Sequence, residues 1–128
     1  MEMIGLKYHN KVPYKIISYV IYPFDVLVSF HKDFNELKAI LEKRLPKDAW
    51  KDISEFEGEY DARSVRFETG QTVICFKKLT NDIIAHEIFH AVELLMEYIG
   101  IQLSRDSSEA YAYLIGYLTN EIYKLLDF

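Results

Sequence analysis

The chain contains a single cysteine, Cys75. No intrachain disulfide can form, and the expected setting is a reducing compartment, the cytoplasm. Only three Pro and five Gly are present, and they are scattered, which excludes a low-complexity segment or a long flexible linker. No apolar run is long enough to span a bilayer. The most apolar stretch, residues 16–30, is broken by Pro23 and Asp25, so no membrane span is expected. The opening residues MEMIGLKYHN lack an apolar core segment, and no secretion signal is expected. Basic charge is also scarce. Fifteen Lys and Arg stand against 20 Asp and Glu, for a net charge of -5, and no basic run is longer than two residues, as at Lys77-Lys78. Neutralising a phosphate backbone needs a clustered basic surface, so a nucleic-acid partner is not expected.

What the chain does have is apolar and aromatic mass: half its residues are hydrophobic, with ten Tyr and eight Phe. At 128 residues it fits one domain spanning residues 1–128, able to bury roughly two thirds of its unfolded surface without staples. Residues 14–31 are rich in β-branched and aromatic types and predict two strands, 15–22 and 25–31, parted near Pro23. Asp33, with Glu36 three residues on, predicts a capped helix start. The helix should run over 34–45, with Leu37, Ile40, Leu41 and Leu45 on one face and Pro46 beyond its end. Residues 47–60 are acidic and read as irregular, with room for one helical turn.

The alternation in 64–68 and 72–76 predicts a hairpin turning at Gly70-Gln71. A long helix over 82–98 follows, with Thr80, Asn81 or Asp82 as its cap and Gly100 at its stop. A last helix is expected over 107–125. The order strand, strand, helix, hairpin, helix, helix is that of an α+β domain.

The residues that carry chemistry are His86-Glu87-Ile88-Phe89-His90, an H-E-x-x-H run inside a predicted helix. Helical spacing puts the two His on one face, one turn apart, where both imidazoles can hold one tetrahedral Zn2+. Glu87 lies about 100° round the helix. It need not ligate and can take a proton from a water whose pKa the zinc lowers to about 7. The helix is apolar elsewhere (Ile88, Phe89, Ala91, Val92, Leu94), and two buried His and an acid need compensation that a metal supplies.

A catalytic zinc usually has a third protein ligand. Glu93 and Glu97 share the His face but lie further along the axis. Glu109 opens the last helix 19 residues after His90, with Ala112 and Gly116 on its face to let two helices approach. Asp106 is the rival ligand, and Asp106 with Glu109 can also be read as a capping box. Glu109 is preferred because a rigid element holds a ligand better than a loop does. Glu93 is a candidate partner for a zinc-bound His, though a solvated helix face explains it nearly as well. His9 and His31 read as surface or strand-end residues, and Cys75 as a small core residue.

The run from His86 to Val92 resembles the active-site helix of the zincin metallopeptidases. Glu109, in Ser108-Glu109-Ala110-Tyr111-Ala112-Tyr113, resembles the glutamate ligand of the gluzincin branch. The metzincin branch matches poorly, since it asks for Gly and His where this chain has Glu93 and Met96. The resemblance covers about residues 62–125. It implies a small twisted, mostly antiparallel sheet with the active-site helix and a C-terminal helix packed on it. It also implies a hairpin edge strand offered to a peptide or protein substrate, and a zinc-dependent peptide-bond hydrolase with His86, His90 and Glu109 on the metal and Glu87 as general base.

The chain departs from larger gluzincins, which carry a transition-state-stabilising His or Tyr in a second subdomain. Here only 19 residues follow Glu109. Tyr113 and Tyr117 lie on the Glu109 face, and either hydroxyl can replace that donor; each is equally well read as an amphipathic core residue. Two readings compete with the peptidase: a zinc- or peptide-binding domain that does not cleave, and a carboxylate-bridged iron protein through Glu87-x-x-His90. The second lacks the further Glu-x-x-His pair that class requires.

Overall fold

The computed structural model describes residues 7–8, 13–19 and 25–127; of residues 7, 8 and 127 only the backbone is described. The elements are β1 (Lys7–Tyr8), β2 (Tyr14–Ser18), β3 (Asp25–Ser29), α1 (Phe34–Arg44), a 3-10 helix (Lys47–Phe56), β4 (Ala62–Arg66), β5 (Thr72–Phe76), α2 (Asn81–Tyr98), α3 (Ser108–Tyr123) and β6 (Leu126–Asp127). The fold is α+β, built on a four-stranded sheet in the order β2-β3-β5-β4. Two of its three pairings are antiparallel, and β3 pairs β5 in parallel. The sheet is therefore mixed. β1 and β6 form a separate antiparallel pair. Among the described residues no helix is long and apolar enough to cross a membrane.

Alternation along the strands sorts side chains to two cores. Val26, Val28, Ile74 and Phe76 face α2 and α3, packing with Ile84, Ile88, Leu95, Leu114 and Leu118. Leu27, Val73 and Cys75 face α1 and the 3-10 helix, packing with Leu37, Leu41, Ile53 and Phe56. β5 lies between two strands with both faces covered, so all five of its residues are buried, and it reads as one unbroken apolar run. β4 is an edge strand beside α2, and all five of its residues are half-buried. The hairpin thus presents one interior and one edge strand, as expected.

Local signals placed the helices closely. Asp33 accepts the Asn35 N–H at 2.7 Å to cap α1, and Thr80 accepts the Ile83 N–H to cap α2. At the far end of α2, Gly100 takes φ 84, a left-handed turn that glycine enters without a Cβ penalty. There the Ile101 N–H reaches the Met96 carbonyl at 2.8 Å, a Schellman-type stop. The part of the first predicted strand that falls on 20–22 lies outside the described residues. Residues 47–56 form ten residues of 3-10 helix, more than the single turn expected, because Ala49, Ile53 and Phe56 bury against the second core.

Candidate functional site

α2 carries the H-E-x-x-H run across its middle, and the helix turns its two polar faces to different places. Ile84, Ile88, Ala91 and Leu95 bury in the first core. His86 and His90 stand on the opposite, solvent side, their side chains 65% and 44% exposed. The two imidazoles nevertheless converge: Nε2 of His86 lies 3.0 Å from Nε2 of His90, with the rings edge to face at 4.5 Å between centroids. Two nitrogens about 2.0–2.1 Å from one zinc at a tetrahedral angle sit roughly 3.3–3.4 Å apart. The observed pair needs to part by only a few tenths of an ångström to take the ion. A hydrogen bond between neutral rings satisfies the same distance without metal.

Glu87 points elsewhere. Its side chain is 8% exposed and its Oε2 lies 3.9 Å from Nε2 of His86. The Ser64 hydroxyl, on β4, donates to its Oε1 at 2.8 Å. Burying a carboxylate costs several kcal/mol unless hydrogen bonds or charges offset it. One hydroxyl and the neighbouring imidazole are the compensation seen here. The result is a carboxylate fixed between helix and edge strand, beside the His pair but not between the two rings.

Nδ1 of His90 lies 3.4 Å from Oε1 of Glu93. A carboxylate there favours the tautomer with Nδ1 protonated and Nε2 carrying the lone pair, which is the ligating form.

The other candidates divide. Glu109 lies exposed in the first turn of α3. Among the described residues no group of three His, Cys, Asp or Glu side chains is gathered to hold a metal, so Glu109 is not brought to the His pair. α2 runs eight residues past His90, to Tyr98, before the chain reverses. α3 then returns antiparallel, with its Tyr123 hydroxyl bonded to the Asn81 side chain, so its first turn lies beside the C-terminal half of α2. The hydroxyl of Tyr111, on that turn, is held above its ordinary pKa by partial burial and by the charges of Glu93 and Glu97.

The face of α3 also differs from expectation. α3 packs through Tyr111, Leu114, Leu118 and Ile122, which lie about 140–220° round the helix from Glu109. Ala112 and Gly116 therefore face outward, and a Cβ added at Gly116 would meet nothing within 4 Å. The expected close helix approach at these small residues is not there. Asp106 does not cap α3: the N-cap is Ser107, whose hydroxyl donates to the Gln102 carbonyl at 2.6 Å.

Tyr113 is 59% exposed, on the same outward face as Glu109 and one turn further towards the level of His90. Tyr117 is engaged elsewhere, its hydroxyl donating to the Ser18 carbonyl at 2.5 Å. Ser18 belongs to β2, the opposite sheet edge from Ser64. Three strand spacings separate those edges, about 14 Å, so Tyr117 is held away from the Glu87 side. Burial, then Glu121 and Tyr113, raise its pKa.

Cys75 is buried in β5, where desolvation pushes its thiol pKa up, in keeping with a core residue. His31, expected as a surface or strand-end residue, lies two residues past the end of β3 and is buried, 6% exposed, with Nδ1 2.7 Å from the Ser29 hydroxyl. His9 lies outside the described residues.

Ser64 is the residue the sequence reading passed over. The only signal was the alternation of the hairpin, which can place Ser64 on the helix-facing side but does not say which α2 residue it meets. No family model, curated protein or solved structure matches the chain.

Proposed function

We propose that the chain is a zinc-dependent hydrolase, a small metallopeptidase. The observation that carries this reading is the convergence of the two Nε2 atoms to 3.0 Å, with the buried Glu87 carboxylate 3.9 Å from one of them. His86 and His90 hold the ion through Nε2, and Glu93 keeps His90 in the ligating tautomer. Glu109 is the proposed third ligand, which requires the first turn of α3 to draw towards His90 when the metal binds. When bound, zinc supplies Lewis acidity.

The work of this chain's own residues can be stated separately. Glu87 accepts the proton of the attacking water at Oε2, while Ser64 pins Oε1 and fixes the direction of the free oxygen. The β4 edge offers unpaired backbone groups to an extended peptide. Tyr113, exposed on α3, is the hydroxyl proposed to donate to the developing oxyanion; Tyr117, bonded to Ser18, is not.

The test is a peptide-library digest, with zinc content measured on wild type, Glu87→Gln and His86→Ala. Cleavage by wild type alone, with zinc retained in Glu87→Gln and lost in His86→Ala, is the expected outcome. Equal cleavage by wild type and Glu87→Gln would remove Glu87 from the chemistry. A second reading, a zinc- or peptide-binding domain that does not cleave, is favoured by the engagement of the Tyr117 hydroxyl. A zinc-loaded wild type that cuts nothing would establish it.

A further inference from the structure

The two arginines of β4 are held in opposite ways. Arg63 is occupied: its guanidinium donates to the Glu55 carbonyl at 2.7 Å and the Glu57 carbonyl at 3.3 Å, and lies 4.3 Å from the Tyr60 ring centre. Arg66 lies on the other face. Strand alternation puts it on the side of Ser64, and its guanidinium rests 4.8 Å from the ring centre of Tyr98 on α2. No carboxylate or carbonyl of a described residue takes its N–H groups. Glu68, the nearest acid in sequence, is engaged by Lys51 at 2.8 Å. The Tyr98 hydroxyl reaches the Glu68 carbonyl at 3.5 Å, which fixes the platform under the arginine.

Arg66 is therefore a positioned, half-buried cation with unspent donors. It lies on the helix-facing side of an edge strand, two residues beyond the serine that holds Glu87. That spacing is about 6.8 Å along the strand. An extended peptide paired to β4 would set alternate side chains directly across from Ser64 and Arg66. The solvent stripe of α2 carries Glu93 and Glu97 instead, so positive charge is offered along the β4 edge and negative charge along the exposed face of the helix.

The geometry points to Arg66 as a specificity-determining residue that selects substrates carrying an acidic side chain about two residues from the bond beside Glu87. This rests on the reading of the site as a peptide-cleaving one and names the substrate class it takes. The guanidinium matches a carboxylate with paired N–H donors, which a lysine there would not do.

The experiment uses zinc-loaded full-length chain and a set of peptides identical except for one Glu, Gln or Lys moved through successive positions. Cleavage is read as kcat/KM by mass spectrometry. Binding is read by fluorescence anisotropy in the Glu87→Gln background, where the peptides stay whole. Wild type should favour Glu over Lys by roughly three- to tenfold at one position, the size of a cross-strand charge pair and its reversal. Arg66→Ala should bring that ratio to about one, and Arg66→Glu should invert it. Arg66→Lys keeps the charge and should retain part of the preference, which covers the case in which Arg66→Ala does not fold. No acidic preference in wild type, or the same preference in Arg66→Ala, would overturn the assignment. If zinc-loaded wild type cleaves nothing, the hydrolase reading fails. The anisotropy arm then still decides: acidic selectivity that depends on Arg66 upholds the subsite, and its absence removes it.

Discussion

Two kinds of histidine occupy the two sides of the sheet. His31, on the α1 side, is buried, with the Ser29 hydroxyl 2.7 Å from Nδ1 and the Tyr14 ring stacked at 6.2 Å. Its backbone carbonyl takes the Cys75 thiol. His86 and His90, on the far side of α2, are exposed, and the partner of each Nε2 is the other. In the first arrangement the ring is buried and Nδ1 is taken by a neighbour in its own strand segment. The second brings two ring nitrogens within 3.0 Å of each other on an exposed face, with a buried carboxylate alongside. The residue type is the same; what differs is whether the ring is buried against the sheet or exposed beside a second ring.

The strongest way to break this contrast is to remove one ring from each side. His86→Ala should abolish zinc binding and hydrolysis together while leaving the melting temperature nearly unchanged, since the side chain it removes is exposed. Metal analysis beside a melting curve checks this, and retained zinc would contradict it. Glu87→Gln should lower kcat by about 10²–10⁴ with zinc retained, read in a steady-state assay on metal-quantified protein. Glu93→Ala should weaken zinc by about tenfold or more, the usual cost of losing the carboxylate behind a ligating imidazole; a competition titration with a chelating dye measures it.

His31→Ala should do the opposite. It removes the imidazole beside the buried Ser29 hydroxyl, which keeps the His31 backbone N–H and the Cys75 thiol as partners. It should cost about 0.5–1.5 kcal/mol of stability, the size of one hydrogen bond, with zinc affinity unchanged. The smallest expected effect concerns acid. Burial lowers the His31 pKa, and Glu36 raises it by a lesser amount. A base with a depressed folded pKa binds fewer protons in the native state than in the unfolded chain. The stability it leaves intact above the unfolded value of about 6.5 is lost as pH falls towards the folded pKa. Melting temperature should drop as pH falls below about 6.5 in wild type, and drop less in His31→Asn.

The burial half of this contrast ran against the sequence, which reads His31 as a surface or strand-end residue and the two helix His as buried. Instead His31 is buried, and His86 and His90 stand exposed. What was legible and what was not have physical causes. Helical spacing alone placed His86 and His90 together, and alternation marked the two hairpin strands. That β4 lies beside α2 was expected only from the resemblance of the hairpin-then-helix order to the zincins. The caps at Asp33 and Thr80 and the stop at Gly100 are local, and local chemistry decides them. The parallel β3–β5 pairing is not local, and no short-range pattern announces it. His31 reads in sequence as a surface or strand-end residue; it lies two residues past the end of β3 and is buried. Its burial depends on how α1 and the 3-10 helix close over the sheet, and the length of that 3-10 helix was itself hidden by its acidic composition.

α3 misled for another reason. A stripe of small residues fits either a close helix contact or an open surface. The large residues Tyr111, Leu114, Leu118 and Ile122 were the deciding stripe, and they turn Glu109 and Gly116 outward.

The proposal that His86 and His90 converge to hold a metal can be checked by X-ray absorption at the zinc edge, on protein loaded with one equivalent of zinc. The expected first shell is nitrogen and oxygen at about 2.0–2.2 Å with the outer-shell scattering of two imidazoles. Glu109→Ala should show one ligand fewer, and His90→Ala should lose the bound ion. A wild type that retains no zinc, or a spectrum unchanged by His90→Ala, would contradict it.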